Sequence, residues 1–190
     1  MLAGTATGTP KHGDDRIEMI RILKIARDSA VKSQTQSVNQ VKAVLVSAPP
    51  ELREALQGLL ERCAALRPGE LTTPLAAAKH ALRLLSRHAL ALREKAQNLR
   101  KELTELTSAA SPALVAITGI GADTAAALLI TAGDNPQRLH SEAAFAALCG
   151  TNPIPASSGK TTRHRLNRGG DRTSIATCPG RSGRCGIRTR

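Results

Sequence analysis

The sequence contains almost no aromatic side chains: Phe145 is the only one among 190 residues, and neither Trp nor Tyr occurs. Oligonucleotide-binding barrels and RNA-recognition sheets stack bases on aromatic rings, so this composition argues against both modules. Contacts with phosphate through Lys, Arg and backbone N–H groups remain open. A core built from Leu, Ala, Ile and Val instead suits helices that pack closely on one another.

Paired cysteines and long apolar runs are also lacking. None of the four cysteines forms a C-x-x-C pair, so neither a zinc site nor a disulfide framework is expected, and a reducing cytosol fits best. No apolar run approaches the ~18 residues that a membrane span requires, and the N-terminus does not have the pattern of a signal peptide. We therefore expect a soluble, cytoplasmic protein with no membrane partner and no metal site.

Positive charge is present in excess and is unevenly distributed. The formal net charge is +12, and residues 160–190 carry nine Lys/Arg against one acid. The first 159 residues carry 18 Lys/Arg against 14 acids and are nearly balanced. A basic C-terminal segment on a nearly balanced body favours a polyanionic partner.

The apolar pattern predicts an all-α fold with a long-helix coiled coil over residues 14–107, after a disordered segment at 1–13. One helix runs from Asp14 or Asp15 to Ser47, and a shorter one covers residues 51–66. The strongest periodicity alternates steps of three and four residues and is typical of a coiled-coil seam. Its members are Leu82, Leu85, Ala89, Leu92, Ala96, Leu99, Leu103 and Leu106. The partner is the first helix, the same helix of another subunit, or both.

A small helical domain is predicted over residues 112–172. The turn Gly119-Ile120-Gly121 and the helix predicted after it, from Ala122 to about Ala132, are typical of a helix-hairpin-helix. The N–H groups around Gly119 and Gly121 could hold a DNA phosphate without reading sequence. A purely structural helical hairpin remains an alternative, because the turn itself has no basic residue.

The segment 153–172 carries the chemistry. Ser157 and Ser158 stand beside a glycine, and five basic residues follow: Lys160, Arg163, Arg165, Arg168 and Arg172. Hydroxyl groups next to fixed positive charges suit a phosphodiester, which needs charge neutralisation and an attacking oxygen. A P-loop is rejected because Ile154 stands where that motif needs glycine. A serine hydrolase is disfavoured because no G-x-S-x-G occurs, and the scattered carboxylates suggest no metal-dependent nuclease.

These segments together resemble the IS110 family of bacterial insertion-sequence transposases, over roughly residues 14–172. The similarity is strongest at residues 119–129, 133–136, 141–150 and 153–172. The resemblance implies a recombinase that acts on DNA, guided by a bridging RNA. It also implies a RuvC-like domain with four carboxylates, a coiled coil and a transposase domain with a catalytic serine. Ser158, directly before Gly159, corresponds to that serine, with Ser157 as the alternative.

Two departures from the family pattern shape the functional hypothesis. The RuvC-like carboxylates are absent, so Mg²⁺ is expected only for the intact family enzyme. After Arg172 the helical periodicity stops, and residues 173–190 look like a disordered tail translated in a shifted frame. We therefore predict the C-terminal part of a transposase that binds DNA, self-associates through its coiled coil and is inactive alone. The alternative is a non-catalytic helix-hairpin-helix protein that binds DNA or dimerises.

Overall fold

The computed structural model describes residues 9–13, 15–56, 60–157, 162–167 and 169–171. Most of them are helical, as predicted. The helices are α1 (Arg16–Ser47), α2 (Pro50–Leu56), α3 (Leu60–Ala64), α4 (Pro74–Ala110), α5 (Pro112–Val115), α6 (Ala122–Ala132) and α7 (Glu142–Leu148), with a 3-10 turn at Pro136–Arg138. Two strands, β1 (Pro153–Pro155) and β2 (His164–Leu166), follow α7. The chain divides into a helical unit, Leu23–Glu102, and a terminal unit that combines Met1–Ile22 with Leu103–Arg190.

The core of the helical unit takes one residue from each of its four helices. Val41 of α1, Leu56 of α2, Cys63 of α3 and Leu82 of α4 are at most 5% exposed and form one cluster. Burial raises the pKa of the Cys63 thiol, and the Ser86 side chain partly opposes this shift. The thiol therefore stays neutral at physiological pH and packs as a small apolar group. The segment predicted as one helix over 51–66 holds both α2 and α3, and residues 57–59 between them lie outside the described part.

The predicted stripe on α4 coincides with its buried face. Every second member of the stripe is buried within the chain: Leu82, Ala89, Ala96 and Leu103. The members between them are half-buried: Leu85, Leu92, Leu99 and Leu106. Seven-residue spacing within each set follows from the 3.5-residue repeat of such a seam. The chain itself thus covers half of the stripe, while a coiled coil between subunits stays a prediction.

The long helix α1 carries polar side chains inside its own buried stripe. Lys24 is 7% exposed and pairs with Asp28 at 3.2 Å, four residues further along the helix. Ser37 is 4% exposed, and its hydroxyl donates to the Ser33 carbonyl at 3.0 Å. Buried polar groups are tolerated where a partner replaces water, and these local partners do so.

Among the described residues, no helix is both long enough and apolar enough to cross a membrane.

Candidate nucleic-acid interface

The glycine turn between α5 and α6 leaves the start of α6 without a side-chain cap. Gly119 has φ +91°, a left-handed conformation that favours glycine, and Gly121 is the N-cap residue of α6 with φ −83°. Gly121 has no side chain that could accept a hydrogen bond from the first-turn N–H groups of α6. The helix α5 has only four residues, so a full helix-hairpin-helix stays a prediction. The backbone of the turn is nevertheless open, because a Cβ added at either glycine meets nothing within 4 Å.

The turn after α6 holds the N-terminal segment of the chain. Asp134 N–H donates to the His12 carbonyl at 3.1 Å, and His12 N–H donates to Asn135 Oδ1 at 2.9 Å. Asn135 Nδ2 donates to the Pro10 carbonyl at 2.9 Å. Ile17 N–H in the first turn of α1 donates to Asp134 Oδ1 at 3.1 Å, so a remote carboxylate caps that helix. Residues 10–12, expected to be poorly ordered, are therefore hydrogen-bonded.

Two glycines, Gly150 and Gly170, lie against each other where the chain returns to the end of α7 after the strands β1 and β2. Gly150 follows α7 with φ +69° and lies against Gly170. A Cβ added at Gly170 would lie 2.8 Å from the Cys149 carbonyl carbon, and closer still to Gly150 N and Cα. Asp171 N–H then donates to the Leu148 carbonyl at 3.0 Å. Only glycine permits this approach between the two backbones, so the Gly-Gly-Asp sequence lets the returning chain pack against the end of α7.

Part of the region predicted as a small helical domain instead forms an antiparallel hairpin of two three-residue strands, β1 and β2. Its register pairs Pro153 with Leu166, Ile154 with Arg165 and Pro155 with His164. Ala156 N–H donates to the Arg163 carbonyl at 2.8 Å, one pair beyond the strands. Hydrogen-bonded and non-hydrogen-bonded pairs alternate in such a ladder, so both prolines fall where β2 requires no N–H donor. The prolines therefore fit the hairpin, although they disfavour helix and regular sheet alike.

The hairpin brings one candidate serine next to one candidate arginine. Arg163 N–H donates to Ser157 Oγ at 3.4 Å, so the serine lies at the end of the ladder. Ser157, Arg163 and Arg165 are all exposed. Because side chains alternate along an extended strand, Arg163 and Arg165 share one face and His164 lies on the other. Within the described residues, neither arginine forms an ion pair.

The remaining predicted site residues lie outside the described part of the chain: Ser158, Lys160, Arg168 and Arg172. Among the described residues, no hydrogen bond joins the glycine turn at 119–121 to the hairpin. Sequence reasoning missed the structural roles of Asp134, Asn135 and Gly170, because each of them acts on a segment remote in the chain.

A magnesium ion does not fit the described residues. No group of three or more His, Cys, Asp or Glu side chains among them could hold a metal. Two of the described carboxylates accept hydrogen bonds within the fold. Asp134 Oδ1 accepts from α1, and Asp171 Oδ2 accepts from the Thr131 hydroxyl at 2.9 Å.

The short hairpin carries a serine hydroxyl and two exposed guanidinium groups, and a small helical scaffold supports it. Such a domain is suited to contact phosphate groups. Residues 111–174 match the model of the transposase IS116/IS110/IS902 family. This segment thus matches a transposase domain of that family, which confirms the resemblance over these residues and supports a function related to transposition. No curated protein and no solved structure matches the chain.

Proposed function

We propose that the 111–174 domain binds the phosphate backbone of DNA and presents a serine to it for strand exchange. The observation that carries this proposal is the hydrogen bond from Arg163 N–H to Ser157 Oγ, at 3.4 Å. It fixes Ser157 at the end of a hairpin whose neighbouring strand exposes Arg163 and Arg165. Ser158 follows directly in the chain and is the nucleophile that the family resemblance favours.

The chemistry proposed for this hairpin exchanges one phosphoester bond for another. The serine oxygen bonds to phosphorus while the bond from phosphorus to one deoxyribose oxygen breaks. The serine proton goes to a base, and the leaving deoxyribose oxygen takes up a proton. Guanidinium groups stabilise the negative charge that develops on the non-bridging oxygens. The number of phosphoester bonds is unchanged, so the strand can later be rejoined without another energy source.

The hydrogen bonding of Ser157 supports the proposal that this chain does not cleave DNA unaided. Its described partner, the Arg163 N–H group, is a donor and cannot accept the hydroxyl proton. A serine hydroxyl is a poor nucleophile until a base removes that proton. We therefore propose that the base, and any carboxylates for Mg²⁺, come from outside the described residues. A bridging RNA is a further partner expected from the family resemblance.

Self-association is proposed through the half-buried leucines of α4. Leu92 and Leu99 belong to the half of the stripe that the chain covers incompletely. Their neighbours Ala89 and Ala96 are 0% and 8% exposed, so a partner helix would extend an existing apolar face. A stripe of this spacing suits a partner helix of another subunit.

Salt dependence of binding to duplex DNA tests the phosphate contacts. Replacing Arg163 and Arg165 by Gln should reduce the slope of log K against log [salt] by roughly 1.8, because each duplex phosphate contact contributes about 0.9. The control replaces Lys95 and Lys101, which are exposed on α4, by Gln and removes the same charge. The control should keep the slope close to that of the wild type. An unchanged slope for the arginine variant would remove both arginines from the DNA interface.

Trapping of a covalent protein–DNA adduct tests the serine. The chain alone should bind DNA and form no adduct. With a RuvC-like domain from an intact family member added, an adduct should form that is lost in Ser158→Ala or, for the alternative, in Ser157→Ala. An adduct formed by the chain alone would contradict the proposed inactivity. No serine-dependent adduct in either condition would favour the non-catalytic DNA-binding alternative.

A further inference from the structure

A pocket in the helical unit is lined by three arginines and lies apart in sequence from the transposase domain. It has a volume of about 420 Å³ and is formed by the end of α3 and one face of α4. Arg67 follows α3, while Arg83 and Arg87 lie one turn apart on α4. Residues four apart on a helix are neighbours on its surface, so the two positive charges add to the same local electrostatic potential.

These arginines are not neutralised by the rest of the described chain. Within the described residues, none of the three forms an ion pair or a side-chain hydrogen bond. Glu61, an acid on α3, pairs with Arg93 at 3.3 Å instead. Like charges on adjacent helical turns repel each other. An anionic ligand would relieve that repulsion.

The charge of the whole helical unit favours a polyanion over a small acidic ligand. Residues 23–102 carry 14 Lys/Arg against 7 Asp/Glu, a net charge of +7. The nearly balanced total for residues 1–159 hides this surplus. A local excess of positive charge attracts nucleic acid and steers its approach.

The pocket also has an apolar wall, which discriminates between forms of nucleic acid. Leu66 and Leu90 line it together with two alanines. A rigid duplex exposes its phosphates but turns its bases inward, so it could not use this wall. A single strand can splay a base out and stack it on an arginine plane, even in a protein without Trp or Tyr. The volume is within the range of ordinary small-molecule sites and leaves room for one nucleotide.

We propose that the Arg67–Arg83–Arg87 pocket binds one nucleotide of a single-stranded nucleic acid, with its phosphate on the arginines and its base or sugar on the leucine wall. This site is separate from the serine hairpin and does not depend on it. Single-stranded RNA and single-stranded DNA share the chemistry, and the binding experiment distinguishes them.

The test measures binding of three fluorescent probes to the 190-residue chain: a ten-nucleotide oligo(U), a ten-nucleotide oligo(dT) and a 20-base-pair duplex. The pocket variant replaces Arg83 and Arg87 by Gln, which keeps helix propensity. It should bind at least one of the single strands roughly tenfold more weakly, with a salt slope lower by about 0.7–1.4. Duplex binding should stay within about twofold of the wild type, since a duplex does not enter the pocket. The Lys95→Gln/Lys101→Gln control should not show the selective loss.

A second variant and a second background keep the result interpretable. Arg67→Gln changes a residue after α3 and should weaken the same single strand, with an unchanged circular dichroism melt. The loss caused by the pocket variant should be equal in the wild-type and Arg163→Gln/Arg165→Gln backgrounds, because independent sites add. Failure of the hairpin proposal would therefore leave this measurement intact.

Three results would overturn the proposal. The first is a loss of single-strand affinity in the control variant as large as in the pocket variant, which would reduce the effect to general charge. The second is unchanged binding of every single strand by both pocket variants. A poly-Glu peptide could compete with both single strands and bind more tightly than they do, in a manner that depends on Arg83 and Arg87. That last result would assign the pocket to an acidic protein partner.

Discussion

Gly170 lies closer to another stretch of backbone than any side chain would allow. Its neighbour is Gly150, and a Cβ placed on Gly170 would overlap the Cys149–Gly150 peptide. The two residues join the end of α7 to the segment that returns from the hairpin, where Asp171 bonds the Leu148 carbonyl. The position of the serine and arginine hairpin thus depends on having glycine, with no side chain, at both position 150 and position 170.

Gly170→Ala is expected to destabilise the domain by about 1–3 kcal/mol, because overpacking forces the two backbones apart. Gly69→Ala is the matched control: its added Cβ meets nothing within 4 Å, and its φ lies outside the left-handed region. The control should stay within about 0.5 kcal/mol of the wild type. Urea unfolding followed by circular dichroism measures both. Equal stability of the two variants would contradict the close approach of Gly170 to Gly150.

Residues whose role is local could be predicted from the sequence. Serine is a preferred N-cap residue, and the Ser141 side chain accepts from Ala144 N–H at 3.2 Å at the start of α7. Gly119 was assigned to a tight turn and has φ +91°. The contact of Gly150 with Gly170 could not be predicted, because it depends on how the chain closes and not on neighbouring letters. The same limit applies to Asp134, which caps a helix 117 residues away.

The long helix α4 shows what a regular apolar pattern can and cannot reveal. Its apolar stripe, from Leu82 to Leu106, alternates between buried and half-buried members, while the coiled coil that the pattern indicates stays a prediction. The two strands were not predicted, because three residues with two prolines carry no alternating pattern. Their pairing depends on a partner segment across a loop, and the register is therefore a tertiary property.

Leu92→Glu combined with Leu99→Glu is expected to lower the molecular mass in solution, measured by sedimentation equilibrium. Both leucines lie on the incompletely covered half of the stripe, and burying two charges at an interface costs several kcal/mol. Leu84→Glu is the control on the same helix, since Leu84 is 54% exposed and lies off the stripe. A wild-type protein that is already monomeric would rule out self-association through α4.

The terminal unit is assembled from both ends of the described chain. Asn135 is 5% exposed, and its side-chain amide both accepts from His12 and donates to the Pro10 carbonyl. A third hydrogen bond runs from Asp134 N–H to the His12 carbonyl at 3.1 Å. Composition alone suggested a poorly ordered segment here, since Gly, Thr and Ala dominate residues 1–10. The partners that order residues 10–12 lie more than a hundred residues away.

Asn135→Ala is expected to destabilise the protein by about 1–3 kcal/mol, because it removes two part-buried hydrogen bonds of about 0.5–1.5 kcal/mol each. The His12 amide should exchange its proton with solvent faster in this variant. Asn39→Ala on the exposed face of α1 is the control and should have little effect. Hydrogen exchange followed by mass spectrometry measures both variants. Unchanged exchange over residues 10–17 would show that Asn135 does not hold the segment.

The two prolines of β1 also determine how the hairpin meets other proteins. Pro153 and Pro155 occupy the positions whose N–H groups would face away from β2, so the outer edge of β1 offers no donors. A strand from another molecule would find only carbonyl acceptors there, so extension of the sheet on that side is disfavoured. Extension is left to the side of β2, where Arg165 and the adjacent Arg163 would repel a second copy of the same hairpin. An exposed two-stranded sheet is thereby protected from edge-to-edge aggregation.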